Sequence, residues 1–432
     1  MNYVLFSAVG KSDPINKGYD GPLTHIVRRY CPEKVYLFYT KEMKKYKHAI
    51  NYALKYISPN CEIENIISDI ENAFDFDAFS SSFNELLKMV KEKNPGSRVL
   101  VNVSSGTPQI KTTLGLLSVT FGNITPIQVT DPDHESGRKE TPFDPEKDSI
   151  ENEMEVNLDS LDDAHDRCLE PGFVFFRKTL LEAQILRLIK SYDYHGAYKL
   201  FMDEYILSDK LKSLLEHAFN RISYDSEKAE KIARETGLEH ILYPIKETRP
   251  KVACEYFNIT KIRSLNEEIT DTLLRIKPLA EYLAHDFIDR TMKSGRVFTK
   301  KYTGSRIFLA DDADISFPGI TEYLNDKYTK YDDGFRKAQE LSLKSYIYIA
   351  AFISKDREPE IINRFTELSS LIEGRNVAAH SLARPEVSSI SITKAISNLS
   401  WLIIRVYGNS IKSVIFDIYD KLNRLIAEEI SY

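Results

Sequence analysis

The sequence predicts an α/β domain on a mostly parallel sheet, followed by an all-helical domain. Three observations carry this expectation. The first 130 residues alternate β-rich apolar runs with segments of helical spacing. Residues 131–162 turn acidic and poor in large apolar side chains. From about residue 170 onward the apolar period is helical throughout.

The α/β elements follow in order. "YVLFSAVG" (3–10) is an apolar strand ending in Gly, and "GPLTHIVRRY" (21–30) has helical spacing. "KVYLFYT" (34–40) and "CEIENIIS" (61–68) read as the second and third strands, separated by the helix "KEMKKYKHAINYALKYI" (41–57). "FDAFSSSFNELLKMVKEK" (76–93) is the third helix, "RVLVNVS" (98–104) the fourth strand and "PQIKTTLGLLSVTF" (108–121) the fourth helix. "ITPIQVT" (124–130) closes the set. Such alternation places helices on both faces of the sheet. The acidic stretch after it reads as a linker holding at most a short hairpin. In the second half, helices are expected over 179–202, 209–222, 262–292, 335–354, 392–408 and 410–430. Residues 293–334, rich in Gly, Asp and Tyr, are the least regular part. The expected domains are therefore 1–135 and 170–432, joined by a linker at 136–169.

Composition narrows the function. With 432 residues, 42% of them hydrophobic, the chain can bury more than one core. Its net charge of −6 argues against holding duplex DNA by broad phosphate neutralisation, so any nucleic-acid contact must be local. The four cysteines, at 31, 61, 168 and 254, have no metal-binding C-x-x-C spacing and read as reduced thiols. No metal site is expected. The N-terminus lacks the basic and apolar regions of a signal peptide, and no apolar run is long enough to span a bilayer. A cytoplasmic protein without membrane contact is the expectation.

Two loops in the α/β half carry ligand chemistry. "VGKSDPI" (9–15) follows the first strand and offers Gly10 for close backbone approach, with Ser12 and Asp13 as polar groups. It is not a nucleotide-triphosphate loop, because Leu5 stands where the first Gly of that motif is required. "VSSGTPQI" (103–110) follows the fourth strand with Ser104, Ser105, Gly106 and Thr107, and then opens a helix whose free N–H groups suit a phosphate. The same residues also make a plain helix start, with Thr107 at the N-cap and Pro108 at the first position. Two polar, glycine-bearing loops at one sheet end favour a phosphate-bearing ligand. His134 follows the fifth strand and reads as an exposed loop residue.

In the helical half the pattern Arg-x4–6-His occurs twice, against about one match expected by chance. Arg234 and His240 are flanked by Glu235 and Glu239, which would repel a phosphodiester. Arg375 and His380, in "LIEGRNVAAHSLARP", have the better context. Gly374 is expected to end one helix and Asn376 to cap the next, placing Asn376 and His380 on one face. RNA brings its own nucleophile, the 2′-hydroxyl. A His that titrates near neutrality can move the proton, and an Arg fork can hold the phosphate charge, with no metal required. One His and one Arg make a thin site, which two copies related by a two-fold axis would complete. A His satisfied at a helix–helix contact remains the alternative for this motif taken alone.

Together the halves point further. A Rossmann-like domain with "VGKSDPI" and "VSSGTPQI", followed by a helical domain with "RNVAAH", resembles the CARF–HEPN ribonucleases of type III CRISPR systems, and most of all the Csm-type effector family. The resemblance spans nearly the whole chain in domain order. It implies a CARF-like ligand-sensing domain over 1–135 and a HEPN ribonuclease domain over 170–432. The sensor would bind a cyclic oligoadenylate made by a type III CRISPR complex across a homodimer interface; rings of four or six both fit, with hexa-adenylate favoured over tetra-adenylate. Gly10, Ser12, Asp13, Ser105, Gly106, Thr107 and Gln109 match the loops that the family uses. Arg375, Asn376 and His380 match its catalytic motif for single-stranded RNA. The chemistry implied is metal-independent and gives a 2′,3′-cyclic phosphate, with no cofactor beyond the allosteric activator. Thr107 is the place for a slow cleavage of the activator itself. Two other classes stay open. One is a non-catalytic ligand-sensing regulator with a helical interaction domain. The other is an enzyme acting on a nucleotide in the N-terminal domain.

Overall fold

The structure is a computed structural model. It describes all residues except 1, 71, 73, 133–142, 203–206, 293–294, 300–306, 330–334, 336–338, 356, 381–388, 409–410, 412–415 and 432, and it describes 329, 373–380 and 389 by backbone alone. The chain divides into two units, Met1–Leu180 and Leu181–Tyr432.

The first unit contains β1 (Tyr3–Ala8), β2 (Ile15–Asn16), β3 (Tyr19–Asp20), α1 (Pro22–Tyr30), β4 (Lys34–Tyr39), α2 (Lys47–Ile57), β5 (Glu62–Ile67), α3 (Phe76–Lys93), β6 (Arg98–Asn102), α4 (Pro108–Thr120), β7 (Ile124–Val129), α5 (Ile150–Glu155) and β8 (Cys168–Leu169). The sheet order is β5-β4-β1-β6-β7-β8. All neighbours are parallel except β7 and β8. Alternate strand residues face opposite ways, as a pleated strand requires. Leu5, Val35, Leu37 and Leu100 pack with Ile26 of α1, Ile50 of α2 and Met154 of α5. Val4, Phe6, Tyr36, Phe38 and Val101 pack with Phe79 and Phe83 of α3 and Leu114 of α4. The strands are apolar on both faces because helices cover both.

The segment expected as a linker is corrected by the structure over its described part. Residues 143–169 belong to the first unit, where Phe143, Ile150 and Met154 join the core and β8 extends the sheet. Polar contacts across long sequence separations hold it. Asn157 Nδ2 donates to the Asp20 carboxylate at 2.5 Å, and the Arg167 guanidinium donates to the Asp20 carbonyl at 3.0 Å. The Asp20 N–H donates to Asp159 at 2.8 Å, and the Arg167 N–H donates to His25 Nε2 at 3.0 Å.

The second unit holds α6 (Val174–Lys190), whose N-terminal part lies in the first, then α7 (Tyr194–Met202), α8 (Asp209–Ile222), α9 (Ser226–Glu235), α10 (Glu239–Leu242), α11 (Thr248–Leu265) and α12 (Ile269–Thr291). There follow α13 (Ala313–Ser316), α14 (Ile320–Thr329), α15 (Leu343–Ser354), α16 (Pro359–His380), α17 (Ser389–Tyr407) and α18 (Ile418–Ser431). One core joins α6, α7, α8, α9 and α18 through Ile185, Phe201, Leu215, Ala229 and Leu422. The other joins α11, α12, α15, α16 and α17 through Phe257, Leu283, Tyr346, Phe365 and Leu402.

Two expected long helices are each divided. The apolar period over 179–202 breaks between α6 and α7, where Tyr192 takes φ 58°, and that over 262–292 breaks between α11 and α12, where Glu267 takes φ 58°. The reverse holds at 374–376. Gly374 does not end a helix and Asn376 does not cap one, because α16 runs unbroken through both to His380. Among the described residues, no helix is long and apolar enough to cross a membrane.

Candidate functional site

The order of chain connections reverses between β1 and β6. From β1 the chain proceeds outward to β4 and β5, then returns to place β6 on β1's other side. The loops after β1 and β6 therefore leave the sheet side by side at its carboxyl end, where open α/β sheets bind ligands. They touch. A Cβ at Gly10 would lie 2.6 Å from the Gly106 nitrogen, so only glycine allows this approach. Gly106 itself takes φ +97°, a backbone conformation that favours glycine.

Asp13 lies beneath this contact, fully buried, and accepts from the Gly10 N–H at 3.0 Å and the Leu23 N–H at 2.9 Å. The second bond satisfies a free donor in the first turn of α1, whose own N-cap position, Gly21, offers no side chain. Ser105, also buried, bonds the same carboxylate. Burial pushes the Asp13 carboxyl up to about 6, against the pull of Ser105 and the two backbone donors. Asp13 and Ser105 were expected to meet ligand directly; the structure instead places them under the loops, holding one another. Ser12 is half-buried beside them.

Thr107 caps α4 by accepting from the Ile110 N–H at 3.4 Å, and Pro108 occupies the first helical position. The helix-start reading of this stretch is therefore correct, and the start faces the loop contact. Gln109 stands in the first turn with its Oε1 buried and without a hydrogen-bond partner among the described residues. The sequence reading missed Asn102. Its one signal was an amide at the end of the apolar run "RVLVN". It is fully buried and donates to Ser7 Oγ at 2.9 Å and Ser105 Oγ at 2.8 Å, while accepting from the Ser104 N–H at 2.8 Å.

In the second unit, Arg375, Asn376 and His380 all lie on the last turns of α16. That helix is anchored by the buried stripe Ile361, Phe365, Leu368 and Ile372. Polar contacts bind it to α17: Arg364 donates to Asn398 at 2.9 Å, and Glu367 accepts from Lys394 at 2.9 Å and Asn398 at 2.8 Å. The side chains of 373–380 lie outside the described residues, as does His134.

Three clusters bring metal-ligating atoms together among the described residues: Asp20–His25–Asp159, His25–Asp166–Cys168 and His285–Asp286–Asp289. In the first, Arg28, Asn157 and Arg167 already use the carboxylate oxygens. The second shares His25, whose Nε2 takes the Arg167 N–H, with an exposed Asp166. In the third, Arg249 and Tyr407 occupy Asp286 at 2.6 Å each. Cations and donors thus already stand against these groups. Asp159 shows the balance: burial raises its pKa, and the His25 hydrogen bond and Arg167 charge more than offset that, so it ends below the usual range.

Comparison with known proteins settles the family. Residues 61–168 match the Cas_Csm6 CARF domain, 174–222 the Csm6 6H domain and 242–427 the Cas_Csm6 HEPN domain. The chain is 30% identical over 443 residues to the CRISPR system endoribonuclease Csm6 of Streptococcus thermophilus, covering 98% of each. The chain belongs to the Csm6 family of CRISPR-system endoribonucleases. The Enterococcus italicus Csm6 endoribonuclease is 26% identical over 424 residues, covering 94% of each chain. A solved structure titled Enterococcus italicus Csm6 bound to cyclic hexa-2′-fluoro-hexa-dAMP shares the fold, with a TM-score of 0.68 at 23% identity, over 99% of this chain and 100% of that one. The matched Csm6 CARF segment contains Ser105, Gly106, Thr107 and Gln109 but begins after the β1 loop, and the HEPN segment contains Arg375, Asn376 and His380.

Proposed function

We propose that this chain is an endoribonuclease switched on by a cyclic oligoadenylate, cutting single-stranded RNA in type III CRISPR antiviral defence. The observation that carries the proposal is the meeting of the β1 and β6 loops at the reversal point of the CARF sheet. The same chain carries the Arg-Asn-x3-His motif on the last turns of α16 in its HEPN segment. Gly10 and Gly106 let the two loops close on each other, so that both can face one phosphate-bearing ring. Gln109 offers an unused acceptor that an adenine amino group would satisfy. Ser12 and Thr107 line the same end. The ring-bound solved neighbour supports hexa-adenylate over tetra-adenylate.

In the HEPN segment the 2′-hydroxyl of the RNA attacks the adjacent phosphorus. His380 moves the proton, Arg375 stabilises the charge that develops on the phosphate oxygens, and Asn376 orients the group beside them. The attack closes a 2′,3′-cyclic phosphate and expels a 5′-hydroxyl, so the step needs no metal-bound water. A homodimer brings two copies of this sparse residue set together and lets one ring span two CARF domains. The ring gates the distant site only by binding the active arrangement more tightly than the inactive one. The protein works in the cytoplasm, where the activator is made.

The test is cleavage of a fluorogenic single-stranded RNA in EDTA with cyclic hexa-adenylate, cyclic tetra-adenylate or neither, followed by analysis of product ends. The proposal expects cleavage with one ring and 2′,3′-cyclic phosphate termini. Cleavage that requires added divalent metal, or 5′-phosphate products, would refute the chemistry. Loss of the ring on prolonged incubation, abolished by Thr107→Ala, would add slow self-limitation at Thr107.

A further inference from the structure

We propose that Asn102 is a positioning residue that fixes the spacing of the two activator-binding loops; this rests on reading the β1 and β6 loops as the activator site. The paired ladder between β1 and β6 ends at Phe6 and Val101. Ser7 and Asn102 stand one residue beyond, and the Asn102 side chain continues the connection where the ladder stops, donating to Ser7 Oγ at 2.9 Å. The same amide nitrogen donates to Ser105 Oγ at 2.8 Å, and its oxygen takes the Ser104 N–H at 2.8 Å, closing a tight local turn. Ser105 passes the connection to Asp13, and Asp13 to the backbone of Gly10 and Leu23. One buried chain, Ser7–Asn102–Ser105–Asp13, therefore ties β1, the β6 loop, the β1 loop and the start of α1.

Packing alone does not explain this residue. Asn102 ends a strand whose neighbours are Val99, Leu100 and Val101, and an apolar side chain would bury there without needing partners. Its three hydrogen bonds reach β1 and the β6 loop, and two of them are to the loop itself. Every donor in the chain points toward an acceptor: the amide to the two hydroxyls, the Ser7 hydroxyl to the Ala8 carbonyl at 2.8 Å, and Ser105 to Asp13. The gap between Gly10 and Gly106, which admits no Cβ, is set by this chain. Asn102 acts on the ligand only through those loops.

The experiment uses the full chain. Binding of cyclic hexa-adenylate is measured by calorimetry, and the activator concentration for half-maximal RNA cleavage is measured alongside, for wild type, Asn102→Ala and Ser7→Ala. Circular dichroism and thermal melting report folding. Asn102→Ala is expected to weaken binding and raise the half-activation concentration about tenfold, the loss of roughly one net buried hydrogen bond, with the cleavage rate at saturating ring retained. Ser7→Ala, which removes one partner, shifts both in the same direction by a smaller factor. A folded Asn102→Ala protein with wild-type affinity would overturn the proposal while leaving the activator reading intact. Should Asn102→Ala fail to fold, unchanged affinity in Ser7→Ala overturns it instead. If wild type binds no cyclic oligoadenylate, the reading of the loops falls and this inference with it.

Discussion

Asp13 offers a quantitative check on the loop architecture through Asp13→Asn. Its carboxyl is fully buried and stands at about 6, against 3.8 for an ordinary aspartate. Because the folded value lies above the unfolded one, the ionised form is disfavoured by folding. Its stabilising contribution is complete below pH 3.8 and is lost as pH rises through 6. The full difference corresponds to about 3 kcal/mol. Between pH 7 and pH 5 the wild type should recover about 1 kcal/mol of this relative to Asp13→Asn, which cannot titrate. Tyr39, which acts on Asp13 from β4, is pushed by burial further above that window. The histidines are common to both proteins and cancel in the difference. The assay is urea unfolding of both proteins at pH 5, 6 and 7, with the wild-type-minus-variant difference plotted against pH. A flat difference, or a wild type that loses relative stability on acidification, would refute the buried, hydrogen-bonded carboxylate.

Gly106→Ala places a Cβ 2.8 Å from Ile110 Cγ2 at a φ of +97°. It should destabilise the protein by about 1–2 kcal/mol in denaturant melts and weaken ring binding in calorimetry. Arg167→Ala leaves Asp159 buried with its main cation gone, a loss of about 3 kcal/mol. Limited proteolysis should then cut within 143–169 faster than in wild type. Since Asp159 sits below its ordinary value, that pair's contribution disappears as pH falls through and below the usual carboxylate range, so the Arg167→Ala deficit should shrink in acid. Leu283→Ala opens a cavity at a fully buried position in α12 and should cost about 3 kcal/mol by the same melts.

The sheet and its helices were legible because local signals agreed. Alternating apolar runs fixed β1, β4 and β6, and Thr107-Pro108 marked the start of α4 at the residue where it begins. The folded segment after β7 was not legible. What holds it is Asp20 meeting Asp159 and Arg167 meeting His25, partners about 140 residues apart that leave only charge in the local sequence. Tyr192 and Glu267 break helices in the left-handed region without a glycine to announce it. Gly374 misled in the opposite direction. A mid-helix glycine costs about 1 kcal/mol, and the buried stripe from Ile361 to Ile372 outweighs that. Of the seven residues expected in the ligand loops, Gly10, Ser12, Asp13, Ser105, Gly106 and Thr107 stood out by type and position, and Gln109 entered only through the family resemblance. Which of them face outward and which hold the loops from below depended on burial, and so did Asn102.

The central claim joins a ring sensor to a ribonuclease in one chain, and His380→Ala tests it most directly. Wild type and variant should bind cyclic hexa-adenylate with equal affinity by calorimetry, while in the same EDTA-containing buffer only the wild type cleaves single-stranded RNA on addition of the ring. Ring-stimulated cleavage that survives His380→Ala would contradict the account.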